Sequence, residues 1–249
     1  MLAKTALVVL IATSFAANGL AQEAVAPAAK TEAPAAAPAV AAVTGQVSFK
    51  GEAPAPSPVD ISSDPVCEGA HADGLARSTV LVNGRGGLMN VFVSLTGVPD
   101  KRYKAPEQPV VLDQTGCTYV PHVFGMVKKQ DIEIVNSDDT LHNIHAMPKK
   151  NKEFNLAMPM KDMKVKKTFK KDEEAILIKC DVHPWMTTWC FSMEHPYFGV
   201  SDADGNVTVN TADLPDGDYG VTLWHESLGT VETTVTVAGG AGTFKATFE

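Results

Sequence analysis

Apolar and polar residues alternate with a period of two in short runs along most of the chain. The pattern occupies 46–49, 79–82, 90–95, 110–112 and 131–135, then 165–169, 175–180, 206–209, 219–224, 230–237 and 243–248. Such alternation puts successive side chains on opposite faces of a pleated strand, so each run predicts a strand with one buried face. Gly, Pro and Asp separate the runs, and past the amino-terminal stretch none sustains a helical period. Many short strands with frequent turn signals predict an all-β chain arranged as a sandwich or barrel. Asp204-Gly205 and Asp216-Gly217 have the chemistry of tight turns. Asp202, Asp204 and Asn206 do not make a calcium loop, because the glycine comes too early and no bidentate glutamate follows at the required distance.

The amino-terminal stretch reads differently. Residues 1–21 carry Lys4, an apolar run from Ala6 to Phe15 and the small-residue exit Gly19-Leu20-Ala21, which predicts a secretory signal cut after Ala21. Residues 22–43 are mostly Ala, Pro, Glu, Lys and Val, too little apolar surface to offset the entropy of ordering, so a flexible tether is expected there. No later apolar run approaches the roughly 18 residues that span a bilayer. The expected location is the periplasm or the secreted space, where disulfides persist. The rest divides into an amino-terminal β segment (44–107), a central block (108–194) that holds the candidate chemistry, and a carboxy-terminal β segment (195–249).

A formal charge of −8 argues against nucleic acid as a partner. That average hides a local reversal, because residues 149–171 hold nine lysines against Glu153 and Asp162. A solvated face accounts for such a run as readily as a docking surface does.

The candidate chemistry lies on either side of that lysine run. Cys180, His183 and Met186 stand in the segment Lys-Cys-Asp-Val-His-Pro-Trp-Met (179–186), and His142 with Asn143 lies 38 residues before the cysteine. A thiolate, two imidazoles and a thioether form the ligand set of a blue copper site, which accommodates both oxidation states with little rearrangement. The strand 175–180 would present Cys180, and the loop after it would return His183 and Met186 to the same ion, with Pro184 stiffening the loop. His145 competes with His142, but three residues along an extended chain it faces the opposite side. Asn143 suits a hydrogen bond that locks the loop around the thiolate.

Four cysteines allow three pairings, and a Cys180–Cys190 disulfide would leave no metal ligand at 180. Cys67 with Cys117 is the expected disulfide, which leaves Cys190 as a buried thiol. Met158, Met160 and Met163 offer a secondary thioether site for Cu(I), against the plainer role of filling a core. Signatures of catalysis are missing: there is no nucleophile elbow, zinc-protease helix, phosphate loop or haem-attachment motif. The chain is therefore expected not to be an enzyme.

The segment Asn136-Ser-Asp-Asp-Thr-Leu-His142-Asn143 followed by Cys180-Asp-Val-His183-Pro-Trp-Met186 resembles the cupredoxins, most of all amicyanin and related methylamine-utilisation proteins. The resemblance covers about 108–194. It implies a Greek-key β-sandwich, one copper ion held by His142, Cys180, His183 and Met186, and electron transfer between larger redox proteins. Partners would dock at the exposed edge of His183 beside Trp185, steered by the lysine-rich segment 149–171. The flanking segments resemble a carboxypeptidase-regulatory-like or transthyretin-like fold, which implies an additional small β-sandwich. Asp181-Val182 replaces the Thr-Pro common at that place in small cupredoxins. Copper delivery, sequestration or sensing therefore stands as the alternative to electron transfer, and a non-metal adhesion or scaffold module as a third reading.

Overall fold

The computed structural model describes residues 41–249, so the signal expected at 1–21 and the tether up to residue 40 lie outside the described residues. Ala42 and Val43, read as the end of the tether, are the first residues of a strand, and Val43 is fully buried. Among the described residues no helix is long and apolar enough to cross a membrane.

The fold is all-β. In chain order the first elements are β1 (Ala42–Phe49), β2 (Ser57–Val59), a short helix α1 (Pro65–Ala70), β3 (Leu75–Arg77) and β4 (Phe92–Thr96). The central elements are β5 (Val110–Thr115), β6 (Thr118–Val120), β7 (Val123–Val127), β8 (Asp131–Asn136), β9 (His142–Met147), β10 (Phe154–Met158), β11 (Met163–Thr168), β12 (Glu173–Lys179) and β13 (Thr187–Met193). The last are β14 (Phe198–Val200), β15 (Asn206–Asn210), β16 (Gly217–His225), β17 (Gly229–Val237) and β18 (Gly242–Phe248).

Four of the sheets make two sandwiches. The first faces a three-stranded sheet, β15-β1-β18, toward a four-stranded one, β14-β4-β16-β17. Alternate residues point inward, and Val43, Val47, Val93, Leu95, Val221, Leu223, Val235 and Phe248 share one core. The second sandwich faces β10-β9-β12-β13-β7 toward β11-β8-β5-β6. Leu112, Ile132, Ile134, Ile144, Ile176 and Ile178 fill its core. The two are joined where Phe92 of β4 stacks on Phe191 of β13, with ring centroids 3.8 Å apart and planes 6° from parallel. Gly125 of β7 lies under this joint, where an added Cβ would come within 2.7 Å of the Phe92 ring.

Two expectations change here. The run 79–82 is not a strand: Val82 makes one isolated bridge to Leu88, and Leu81 remains exposed. Residues 57–77 do not go with the amino-terminal flank expected over 44–107: β2, α1 and β3 pack on the second core through Val59, Ile61, Cys67 and Leu75. They form a small cover at one end of that sandwich.

Candidate metal centre

The end of the second sandwich is shaped by where strands stop. β12 ends at Lys179, so Cys180 begins the turn, and its N–H donates to the Met186 carbonyl at 3.1 Å. Met186 N–H donates to the His183 carbonyl at 2.9 Å, so two backbone bonds close the loop 180–186. β9 starts at His142, alongside Met158 of β10 and one strand away from β12. This arrangement brings His142, Cys180 and His183 together, all buried, with their ligand atoms within 4.8 Å of one another. Met186 is buried in the core of the same sandwich, as Cys180 is.

The hydrogen bonds fix how the imidazoles present themselves. His142 Nε2 lies 2.9 Å from Asp138 Oδ2, and His183 Nε2 lies 3.1 Å from Asp64 Oδ2. A carboxylate oxygen only accepts, so each Nε2 carries the proton and each Nδ1 presents a lone pair. The two Nδ1 atoms face each other at 2.9 Å. Two lone pairs at that distance repel unless a cation lies beside them. A proton is disfavoured on His142, because burial, opposed by Asp138, lowers its basicity below the ordinary imidazole value. Two inward imidazole nitrogens with a thiol sulfur and a thioether make a donor set that fits a copper ion.

A network around Asn143 supports the loop. Its Oδ1 accepts the N–H of Asp181 at 2.6 Å and of Val182 at 3.3 Å, and lies 3.2 Å from Cys180 Sγ. The sulfur also accepts the N–H of His183 at 3.3 Å and of Asn143 at 3.5 Å. Asn143 Nδ2 donates to Asn155 at 2.7 Å, and the Asn143 carbonyl accepts the Tyr119 hydroxyl at 2.6 Å. Burial pushes that phenol far above its ordinary range, so it stays protonated as a donor. Asp181 turns outward to Lys179, Asn155 and His145. Its hydrogen bond from Lys179, with those from Asn155 and His145, holds it well below the usual carboxylate range. His145 lies between Asp181 and Glu153, on the side of β9 away from His142.

The expected exposed edge of His183 is absent: the side chain is buried, at 1% exposure. The cover explains it. Asp64 caps α1 and meets His183 Nε2, Cys67 Sγ lies 3.8 Å from the same nitrogen, and the Trp185 ring sits 5.1 Å from the imidazole. Trp185 is itself half-buried and donates its Nε1–H to the Cys117 carbonyl at 3.1 Å. Cys67 and Cys117 are joined in a disulfide, whereas Cys180 and Cys190 are free and buried. Burial pushes the Cys190 thiol far above its ordinary range.

The methionines of the proposed secondary site differ in setting. Met158 is fully buried and its sulfur accepts from Gln114 Nε2 at 3.1 Å, while Met160 is 65% exposed and Met163 half-buried. The lysine run borders two sheet edges, because β10 and β11 are the outer strands of their sheets. Lys164 and Lys166 point outward from β11.

Asp64 and Asp138 escaped the sequence reading. Asp138 sits four residues before His142 in the turn after β8, a spacing that offered a local clue. Asp64 is 119 residues from His183 and left none, although Asp64-Pro65 is recognisable as a helix start.

No protein-family model matches the chain, and no curated protein matches it. Among solved structures it is similar to a copper-containing nitrite reductase from Thermus scotoductus SA-01, with 21% identity over 39% of this chain and a TM-score of 0.34. The match spans a quarter of the reductase chain. Amicyanin from Paracoccus versutus gives 20% identity over 41% of this chain and 97% of its own, with a TM-score of 0.31. A purple cupredoxin from Nitrosopumilus maritimus gives 16% identity over 34% of this chain and 99% of its own, with a TM-score of 0.30.

Proposed function

We propose that the protein is a periplasmic one-electron carrier with a single type 1 copper ion held by His142, Cys180, His183 and Met186. The observation that carries this reading is the pair of buried imidazoles whose Nδ1 lone pairs meet at 2.9 Å beside the Cys180 sulfur. When bound, copper supplies the redox change. The chain's own part is to hold the donors: β12 and the closed loop fix Cys180, Asn143 ties that loop to β9, and the two carboxylates orient the imidazoles. Burial keeps water from the ligands, so little has to rearrange between oxidation states. The exposed lysines of 149–171 steer an acidic redox partner, an effect that salt weakens. The test is an absorption and EPR measurement on the copper-loaded protein. An intense visible thiolate-to-copper band that disappears in Cys180→Ser is expected; a colourless Cu(II) complex refutes the reading.

The sealed edge of His183 favours a second reading, in which the site keeps or delivers copper. One-electron exchange with a small soluble oxidant separates the two. Fast oxidation of the reduced protein fits a carrier. Slow oxidation with copper passing intact to a competing Cu(I) chelator fits a copper holder.

A further inference from the structure

Both imidazoles of the centre are bound at their far nitrogens by half-buried carboxylates, and each carboxylate is itself held in place. Asp64 divides its oxygens. Oδ1 accepts the N–H groups of Val66 at 2.8 Å and Cys67 at 3.3 Å, capping α1, while Oδ2 accepts the Thr140 hydroxyl at 2.6 Å and His183 Nε2–H at 3.1 Å. Asp138 does the same on the other side. Its Oδ1 accepts Gly116 N–H at 2.8 Å, and Oδ2 accepts Cys117 N–H at 2.8 Å and His142 Nε2–H at 2.9 Å. The Cys67–Cys117 disulfide runs between the two supports, since Cys67 lies in the helix that Asp64 caps and Cys117 donates to Asp138.

We propose that Asp64 and Asp138 are positioning residues of the metal centre: they hold both imidazoles in the Nε2–H tautomer, aim both Nδ1 atoms inward, and bias the site toward Cu(II). The inference rests on the copper reading above. A carboxylate that accepts from a metal-bound imidazole makes the ring a stronger donor, and loss of such a partner commonly weakens metal affinity by about 10- to 100-fold. Negative charge close to the ion also favours the more highly charged oxidation state. Cu(II) affinity therefore suffers more than Cu(I) affinity when either carboxylate becomes an amide. Each tenfold change in that affinity ratio raises the potential of a one-electron couple by about 59 mV.

The experiment compares Asp64→Asn, Asp138→Asn and the double variant with the parent and with Glu133→Gln. The last removes a charge on β8 that pairs with Lys164 and touches neither imidazole. Asparagine caps helices as well as aspartate does, so α1 and the cover persist in Asp64→Asn. Melting of the copper-free proteins checks this. Cu(II) and Cu(I) affinities and the reduction potential are then measured on each. The expected result is a ratio shifted about tenfold or more toward Cu(I) in each single variant, further in the double variant, and unmoved in Glu133→Gln. A variant with an unchanged ratio removes that residue's role, even if its melting point falls. An equal shift in Glu133→Gln overturns the proposal in favour of net charge. If the parent binds no copper, the copper reading fails and this inference falls with it, a result distinct from silent variants of a copper-loaded protein.

Discussion

Replacing Asn143 by Ala tests whether one side chain joins the cysteine loop to the sandwich. The side chain is buried and makes three good hydrogen bonds: it accepts from Asp181 N–H at 2.6 Å and Val182 N–H at 3.3 Å, and donates to Asn155 at 2.7 Å. Each such bond contributes about 0.5–1.5 kcal/mol net, which gives a range of roughly 1.5–4.5 kcal/mol for the three. Asp181 and Val182 are exposed residues, so water can reach part of the loop backbone and the loss belongs in the lower half, about 1.5–3 kcal/mol. Urea unfolding of the copper-free protein should show this as a lower midpoint with an unchanged slope. Asn155→Ala is the control. It loses the same partner and a bond to Asp181 at 2.8 Å, but it is exposed, so its cost should stay below about 1 kcal/mol. If Asn143→Ala lies within about 0.5 kcal/mol of the parent, or if Asn155→Ala costs as much, the network does not hold the loop.

Glu173 is buried and accepts the N–H groups of Lys149, Lys150 and Asn151 as well as the Asn151 side chain. Burial alone would raise its pKa, and these bonds outweigh it and lower the value. A lowered native pKa means stability that is complete above the unfolded value of about 4.3 and is lost as pH falls through the native one. Glu173→Gln should therefore cost about 1–3 kcal/mol at pH 7, with the gap from the parent closing in acid urea titrations. Phe92→Ala should cost about 3–5 kcal/mol and lower the melting of both cores together, since the ring is shared between the sandwiches; separate transitions in calorimetry would contradict that coupling. Lys164→Val with Lys166→Val should leave monomer stability within about 0.5 kcal/mol and increase self-association in light scattering. The reason is that β11 is an edge strand whose outward lysines oppose pairing with another chain.

The strands that alternation revealed are those with one face in a core and the other in water, such as β15 and β17. Two of the most important strands do not alternate. β13 reads Thr-Thr-Trp-Cys-Phe-Ser-Met because both of its faces are covered: Cys190 faces the second core, and Phe191 and Met193 face the joint with the first. β9 reads His-Asn-Ile-His-Ala-Met because polar residues stand on both of its faces, His142 beside Ile144 and Ala146 on the inward one and Asn143 with His145 on the other, which makes a largely buried strand look polar. In the run 79–82 the opposite happens. The residues alternate, but Met89 and Asn83 bond back across a local turn, and no longer strand partner is present. Cys180, His183 and Met186 were legible as a candidate donor set because all three stand in one short loop, 180–186. Asp64 was not, because only the fold brings it to His183 across 119 residues.

That long-range contact belongs to the cover over His183. The cover is not free to lift: the disulfide ties α1 to the turn between β5 and β6, and α1 is also anchored through Asp64 to Thr140 and His183. Arg77 adds a hydrogen bond to Thr187 at 2.7 Å, at the far end of the same cover. The His183 edge is thus closed in the resting protein. Leu141, next to His142, and Val182, between Cys180 and His183, remain exposed at 41% and 45%. Asp181 and Pro184 are exposed as well, so each of His142, Cys180 and His183 is bonded directly to an exposed residue. Lys164 and Lys166, on the outward face of β11, protect that sheet edge from pairing with another chain.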